Sequence, residues 1–246
     1  VRGGEVDVPV HVRNAPVAVA GPNIVVAPGQ AVAFDGAGSE PSDSPLSRYR
    51  WSFGDGAMAE VATATHVYAR PGQYRAVLRV EDDSQHPCYF GVATRLVAVN
   101  FPPVAEAGTD QSGVVDQPVF LSGAASYDVD GAVGAWQWDM GDGTVLSGTN
   151  VSHIYRTSGV YTVRLTVTDD SGVANASAMD HLQIDVNAPP VPVFAIPDRP
   201  VSVSEAALLD GSASSDADGQ ILSYIWDFGD GASGEGPVVN YAWTKA

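Results

Sequence analysis

Apolar and polar residues alternate along Tyr161-Thr-Val-Arg-Leu-Thr-Val167, setting Tyr161, Val163, Leu165 and Val167 on one face and Thr162, Arg164 and Thr166 on the other. A period of two is the mark of a strand with one buried face. Tyr74, Ala76, Leu78 and Val80 repeat the pattern upstream. A second set of alternating runs carries aromatic rings inward: Tyr49, Trp51 and Phe53, then Trp136, Trp138 and Met140, then Tyr224, Trp226 and Phe228. Strict alternation with small polar residues makes these rings core rather than an exposed platform for carbohydrate, and burying each is worth roughly 2 to 3 kcal/mol. Shorter strands are predicted at Val32 to Phe34, Val119 to Leu121 and Ala207 to Leu209.

Each aromatic run ends in Gly-Asp-Gly, with aspartates 55, 142 and 230 separated by 87 and 88 residues. That period is domain-sized, so the chain is an array of modules that each bury a core. With about seven strands per copy, an all-β, immunoglobulin-like sandwich of two antiparallel sheets is predicted. Asn14-Ala-Pro, Asn100-Phe-Pro-Pro and Asn187-Ala-Pro-Pro keep the same beat and mark the joints. Proline fixes φ and extends its predecessor, so such joints should be semi-rigid and the array elongated. The boundaries follow as 14–99, 100–186 and 187–246. By the spacing of the first two copies, the third ends 28 residues early, after Tyr241, which this reading matches to Tyr68 and Tyr155. Residues 1–13 contain the alternating run Val6 to Val12, read either as the closing strand of a preceding module in a longer array or as a strand exchanged between subunits of a head-to-tail filament.

The formal net charge of −17, with only 12 basic residues, excludes nucleic acid and anionic lipid as natural partners and favours cations. Gly (26) and Pro (17) are abundant, and no run of eighteen apolar residues offers a membrane span. The single cysteine, Cys88, has no intrachain partner and reads as a free thiol or an intermolecular bridge. Asp128-Val-Asp130-Gly131 and Asp216-Ala-Asp218-Gly219 gather hard oxygen donors in a turn, the ligand type calcium takes, although Asp-Gly is equally a turn signature. His66-Val-Tyr68 and His153-Ile-Tyr155 lack a nearby second metal ligand and read as structural strand residues. The Gly-Asp-Gly aspartates read as acceptors of backbone hydrogen bonds within their turns. Asn150-Val-Ser152 and Asn175-Ala-Ser177 match the N-glycosylation sequon. Carboxylates dispersed once per module do not make the single cleft of a glycosidase, and no nucleophile elbow or phosphate loop occurs.

The second copy strings together Asn100-Phe-Pro-Pro103, Gly123 to Gly131, Trp138 to Gly143, His153-Ile-Tyr155 and Gly159 to Asp169. In this order the motifs resemble the polycystic kidney disease (PKD) domain family, over nearly the whole chain. The first copy departs from the pattern, with Ser39-Glu-Pro-Ser-Asp-Ser-Pro45 in place of Asp-x-Asp-Gly. The resemblance implies immunoglobulin-like sandwiches acting outside the cell as spacers or adhesive modules. It also implies a calcium ion at a module entrance, held in the second copy by Asn100, Asp128, Asp130 and Asp169; the first copy offers the poorer set Asn14, Asp43 and Asp82.

The expected function is therefore a non-enzymatic, extracellular structural array, a stiff stalk, surface-layer or filament element whose partners are neighbouring modules or subunits of the same protein. The alternative is an adhesive region of a secreted hydrolase that binds surface polysaccharide or protein. An exposed aromatic patch at Tyr89, Phe90 or Trp243 would favour that alternative.

Overall fold

The computed structural model describes residues 12, 14–84 and 88–245. The expected strand at residues 6–12 therefore lies, but for Val12, outside the described residues. Every regular element among the described residues is a β-strand. The chain divides into two compact units, one of residues 1–104, 127–134 and 167–178 and the other of 105–126, 135–166 and 179–246.

Among the described residues the first module contains seven strands: β1 (Ile24–Val26), β2 (Ala31–Asp35), β3 (Leu46–Ser52), β4 (Met58–Ala59), β5 (Thr63–Val67), β6 (Gly72–Asp82) and β7 (Phe90–Val99). They form one sheet in the order β1-β7-β6-β3-β4 and a second of β2 and β5. The sheets are not purely antiparallel, because β1 runs parallel to β7, with Ile24 opposite Val97 and Val26 opposite Val99. The cause is the turn at Pro28-Gly29: Gly29, at φ 79, donates its N–H to the Tyr68 carbonyl at 2.8 Å, and the chain leaves the first sheet there to enter the second as β2. The alternation read from the sequence is the core. Trp51, Ala76, Leu78 and Val80 are fully buried, Phe53 is nearly so, and Phe34 meets the Trp51 ring edge-on at 5.2 Å. Tyr49 and Tyr74 flank this core half-buried.

The second module repeats the plan with β8 (Gln111–Val114), β9 (Pro118–Ser122), β10 (Val133–Asp139), β11 (Val145–Ser147), β12 (Asn150–Ile154), β13 (Gly159–Asp169) and β14 (Ser177–Asn187). The sheet order is β11-β10-β13-β14-β8, with β9 and β12 paired apart. Here β8 runs parallel to β14. Trp138, Met140, Val163, Leu165 and Val167 are fully buried, as their alternation demands. Third-module strands are β15 (Ala207–Asp210), β16 (Ile225–Asp227), β17 (Ser233–Glu235) and β18 (Val238–Tyr241). Its aromatic run, Tyr224, Trp226 and Phe228, is only half-buried and lines an open groove of about 620 Å³ with Phe194, Ile196 and Leu209. The chain is thus a tandem array of immunoglobulin-like β-sandwich modules.

Candidate metal centre at Asn100

The alternation of β13 continues past Val167, which places Asp169 on the inward face at 6% exposure. Asn100 follows the last residue of β7, is 3% exposed, and donates its backbone N–H to the Val26 carbonyl at 2.9 Å. Its side-chain Nδ2 donates to Asp169 Oδ2 at 3.0 Å and to Asn175 Oδ1 at 3.4 Å. Asn175 Nδ2 returns a bond to the Asn100 carbonyl at 3.0 Å. Asp130 lies one residue along from this knot, because its Oδ1 accepts the Phe101 N–H at 3.2 Å. Asp128 Oδ1 accepts the Asp130 N–H at 3.3 Å, so the acidic turn is also an Asx turn.

The other oxygen, Asp128 Oδ2, is buried and has no hydrogen-bond partner among the described residues. Burial, together with the negative charges of Asp130 and Asp169, pushes the Asp128 pKa up. A β-carbon placed on Gly131 would stand 2.9 Å from that oxygen and 2.5 Å from Asp170 Oδ1, so two carboxylates crowd one face of a residue that has no side chain. Burial also works to raise Asp169, but the hydrogen bonds from Ser171 and Asn100 outweigh it and hold its pKa below the ordinary value. The donors gathered here are hard oxygens, the ligand type calcium takes. Among the described residues no three Asp, Glu, His or Cys side chains already form a cage, so an ion would need the Asn100 amide oxygen or water to complete its shell.

Of the four residues expected from the sequence, Asn100 and Asp169 are hydrogen-bonded to each other, and Asp130, itself bonded to Asp128, holds the neighbouring Phe101 N–H. Asp170, Ser171 and Asn175 were missed; the Asp169-Asp170-Ser171 sequence that follows the long strand was the available signal. The first module matches this arrangement only in part. Asn14 and Asp43 are exposed, whereas Asp82 accepts the Ser84 hydroxyl at 2.5 Å as Asp169 accepts that of Ser171, and also takes the Ser42 hydroxyl at 2.7 Å. At the third module Asp218 Oδ2 accepts the Ala188 N–H at 2.8 Å, repeating the role of Asp130.

The Gly-Asp-Gly aspartates do more than cap their turns. Asp55 Oδ1 accepts the Ala57 N–H while Oδ2 lies 2.6 Å from His66 Nε2, and Asp142 holds Thr144 and His153 in the same way. The equal spacing of 11 residues between aspartate and histidine was the signal. The expected match of Tyr241 with Tyr68 is corrected: Tyr68 Oη donates to the Phe53 carbonyl and Tyr155 Oη to that of Met140, whereas in the third module Trp243 Nε1 donates to the Phe228 carbonyl, each at 2.9 Å. Trp243 is thus the counterpart of Tyr68, and it is half-buried rather than an exposed platform. Tyr89 is half-buried too, and Phe90 packs against the Arg79 guanidinium, 4.2 Å from its ring centre.

The human dyslexia-associated protein KIAA0319 is 30% identical over 237 residues, 88% of this chain and 22% of that protein. Collagenase ColA of Clostridium perfringens is 38% identical over 82 residues, 33% of this chain and 7% of that protein. The chain therefore spans under a quarter of the length of either relative. The crystal structure of the PKD1 domain of Vibrio anguillarum Epp is 33% identical, covering 37% of this chain and 99% of that domain with a TM-score of 0.32. The family model described as "PKD domain" matches three times, at residues 13–97, 100–184 and 187–246, and the chain belongs to the PKD domain family.

Proposed function

We propose that this chain is a non-catalytic extracellular structural element, a stalk, surface-layer or filament segment of serial sandwiches, in which a calcium ion stiffens the joint at Asn100. The observation that carries the calcium reading is the buried, unpartnered Asp128 Oδ2 beside Asp130 and Asp169. An unsatisfied buried carboxylate oxygen is costly, and a divalent cation would supply the positive charge that its surroundings lack. Asn100, Asp128, Asp130 and Asp169 would hold the ion. Asn100 is already tied to Val26 of the first module and to Asp169 and Asn175 of the second, so ordering it fixes the chain path through the joint.

An extracellular setting is supported by the acidic, Gly- and Pro-rich composition and by membership of a family found in proteins such as collagenase ColA. That relative also supports a second reading, an adhesive region that holds a secreted hydrolase on a polymer. Against it, Tyr89 and Trp243 are half-buried, and Phe90, although exposed, packs against the Arg79 guanidinium.

Calorimetry of the full chain tests the calcium reading. A ligand that binds only the folded state stabilises it by about 2.7 kcal/mol at a hundredfold excess over Kd. Calcium should raise the melting temperature, and Asp128→Ala with Asp130→Ala should abolish the rise. Identical melting of the unaltered chain in calcium and in chelator would remove calcium from the proposal. Tight binding of the chain to an insoluble polysaccharide or collagen would instead favour the adhesive reading.

A further inference from the structure

The outward face of the β9/β12 sheet in the second module carries Pro118, Phe120 and Ser122 beside Asn150, Ser152 and Ile154. Asn150 lies opposite Ser122 and Ser152 opposite Phe120, so Asn150 and Phe120 are diagonal neighbours on one face. Diagonal cross-strand partners are within reach of aromatic and long side chains. Both residues border the same surface groove of about 420 Å³, whose wall includes Ala107, Gly108 and Gln111. Phe120 is 70% exposed with no ring or cation partner among the described residues, and Asn150 is the exposed first residue of β12. By register, the counterparts of this pair are Ala33 and Thr63 in the first module and Leu208 and Val238 in the third. Only the second module has an aromatic ring here, and only it carries a sequon, Asn150-Val-Ser152, on this face.

From this arrangement we propose that Asn150 is an N-glycosylation site and that the first sugar of its glycan lies in this groove against the Phe120 ring. The amide Nδ2 bonds to the anomeric carbon of a lipid-diphosphate-linked oligosaccharide. The lipid diphosphate leaves and the nitrogen loses a proton. The apolar face of the sugar ring covers Phe120, removing its exposed surface from water. At Asn175, in the second sequon, Nδ2 donates to the Asn100 carbonyl in the folded chain, so a sugar there is incompatible with the folded joint network.

The proposal rests on the extracellular reading, because the donor acts in a secretory compartment. Sending the full chain through the secretory pathway of a eukaryotic host separates the two, since location is then imposed. Mass spectrometry of the secreted, folded protein, before and after removal of glycans by an amidase, should find one glycan, at Asn150. Asn150→Gln and Ser152→Ala should each remove it, while Ser177→Ala, which destroys the second sequon but keeps Asn175, should leave it. Phe120→Ala should lower the melting temperature of the glycosylated chain and leave that of the deglycosylated chain nearly unchanged. A bare Asn150, a glycan at Asn175 in the folded protein, or an equal Phe120→Ala effect in both forms would overturn the proposal.

Discussion

Tyr241 Oη donates to Asp230 Oδ2 at 2.7 Å, standing where His66 stands on Asp55 and His153 on Asp142. All three pairs are separated by 11 residues, and Tyr241 stacks on Phe228 at 3.8 Å as His66 stacks on Phe53 at 4.3 Å. Each Gly-Asp-Gly carboxylate therefore clamps its own turn with one oxygen and the facing strand with the other. The motif is a structural fastening, and the partner is free to vary so long as it donates a proton from the same place.

The fastening predicts an acid limit. Burial pushes Asp55 and Asp142 upward, but the histidine and backbone hydrogen bonds outweigh it and lower both pKa values below the ordinary 3.8. A carboxylate depressed in the folded state contributes stability that is complete above its unfolded pKa and lost as pH falls through the folded one. Melting temperature should therefore drop below about pH 4. Asp55→Asn with Asp142→Asn should lower it at pH 7 and flatten the acid limb below about pH 4. An unchanged slope in calorimetry would separate these pairs from acid stability.

The corrected match of Trp243 with Tyr68 makes a second prediction. Tyr68 Oη reaches the Phe53 carbonyl in a buried setting, so Tyr68→Phe leaves that carbonyl unsatisfied at a cost of about 1–3 kcal/mol. Trp243 serves Phe228 from a half-buried position, where water can replace it, so Trp243→Phe should cost less. Denaturant unfolding of the two variants gives the order directly, and a larger loss for Trp243→Phe would contradict it.

Trp138 has no exposed surface, and its Nε1 donates to the Gly148 carbonyl at 3.1 Å. Trp138→Ala should cost about 3–5 kcal/mol, enough to unfold a marginal module. The first module, with its own core around Trp51, should stay folded, which near-ultraviolet circular dichroism and limited proteolysis would reveal as loss of part of the native signal.

The array and its core were legible because period-two alternation and a repeated Gly-Asp-Gly are local signals, and Val163, Leu165 and Val167 are buried as their spacing required. Asp128 and Asp130 were legible as an acidic turn, but the pairing of Asn100 with Asp169 came only through family resemblance: nothing local relates two residues 69 positions apart. Asn175 was legible only as part of a sequon, because an asparagine in a loop carries no periodic signature and its partner is the Asn100 carbonyl rather than a side chain of distinctive type. Tyr241 was misassigned because tyrosine occurs at both positions of the His-x-Tyr pattern across the copies. Only the bonds to Asp230 and Phe228 distinguish them.

The two glycines of each Gly-Asp-Gly have different duties, which yields a last prediction. Gly141 and Gly143 both hold positive φ, at 79° and 93°, where an alanine costs roughly 1–2 kcal/mol. A β-carbon on Gly143 meets nothing within 4 Å, whereas one on Gly141 would lie 2.7 Å from the Thr162 carbonyl oxygen. That neighbour is backbone of β13 and cannot swing aside, so Gly141→Ala carries an overpacking cost of about 1–3 kcal/mol beyond the conformational one. The first module repeats the contrast, since a β-carbon on Gly54 would meet the Arg75 carbonyl oxygen at 2.9 Å and one on Gly56 nothing. Gly141→Ala should therefore destabilise the second module clearly more than Gly143→Ala, and Gly54→Ala the first more than Gly56→Ala. Equal losses within either pair, measured by denaturant unfolding, would show that φ alone selects glycine in this motif and that close approach of β13 plays no part.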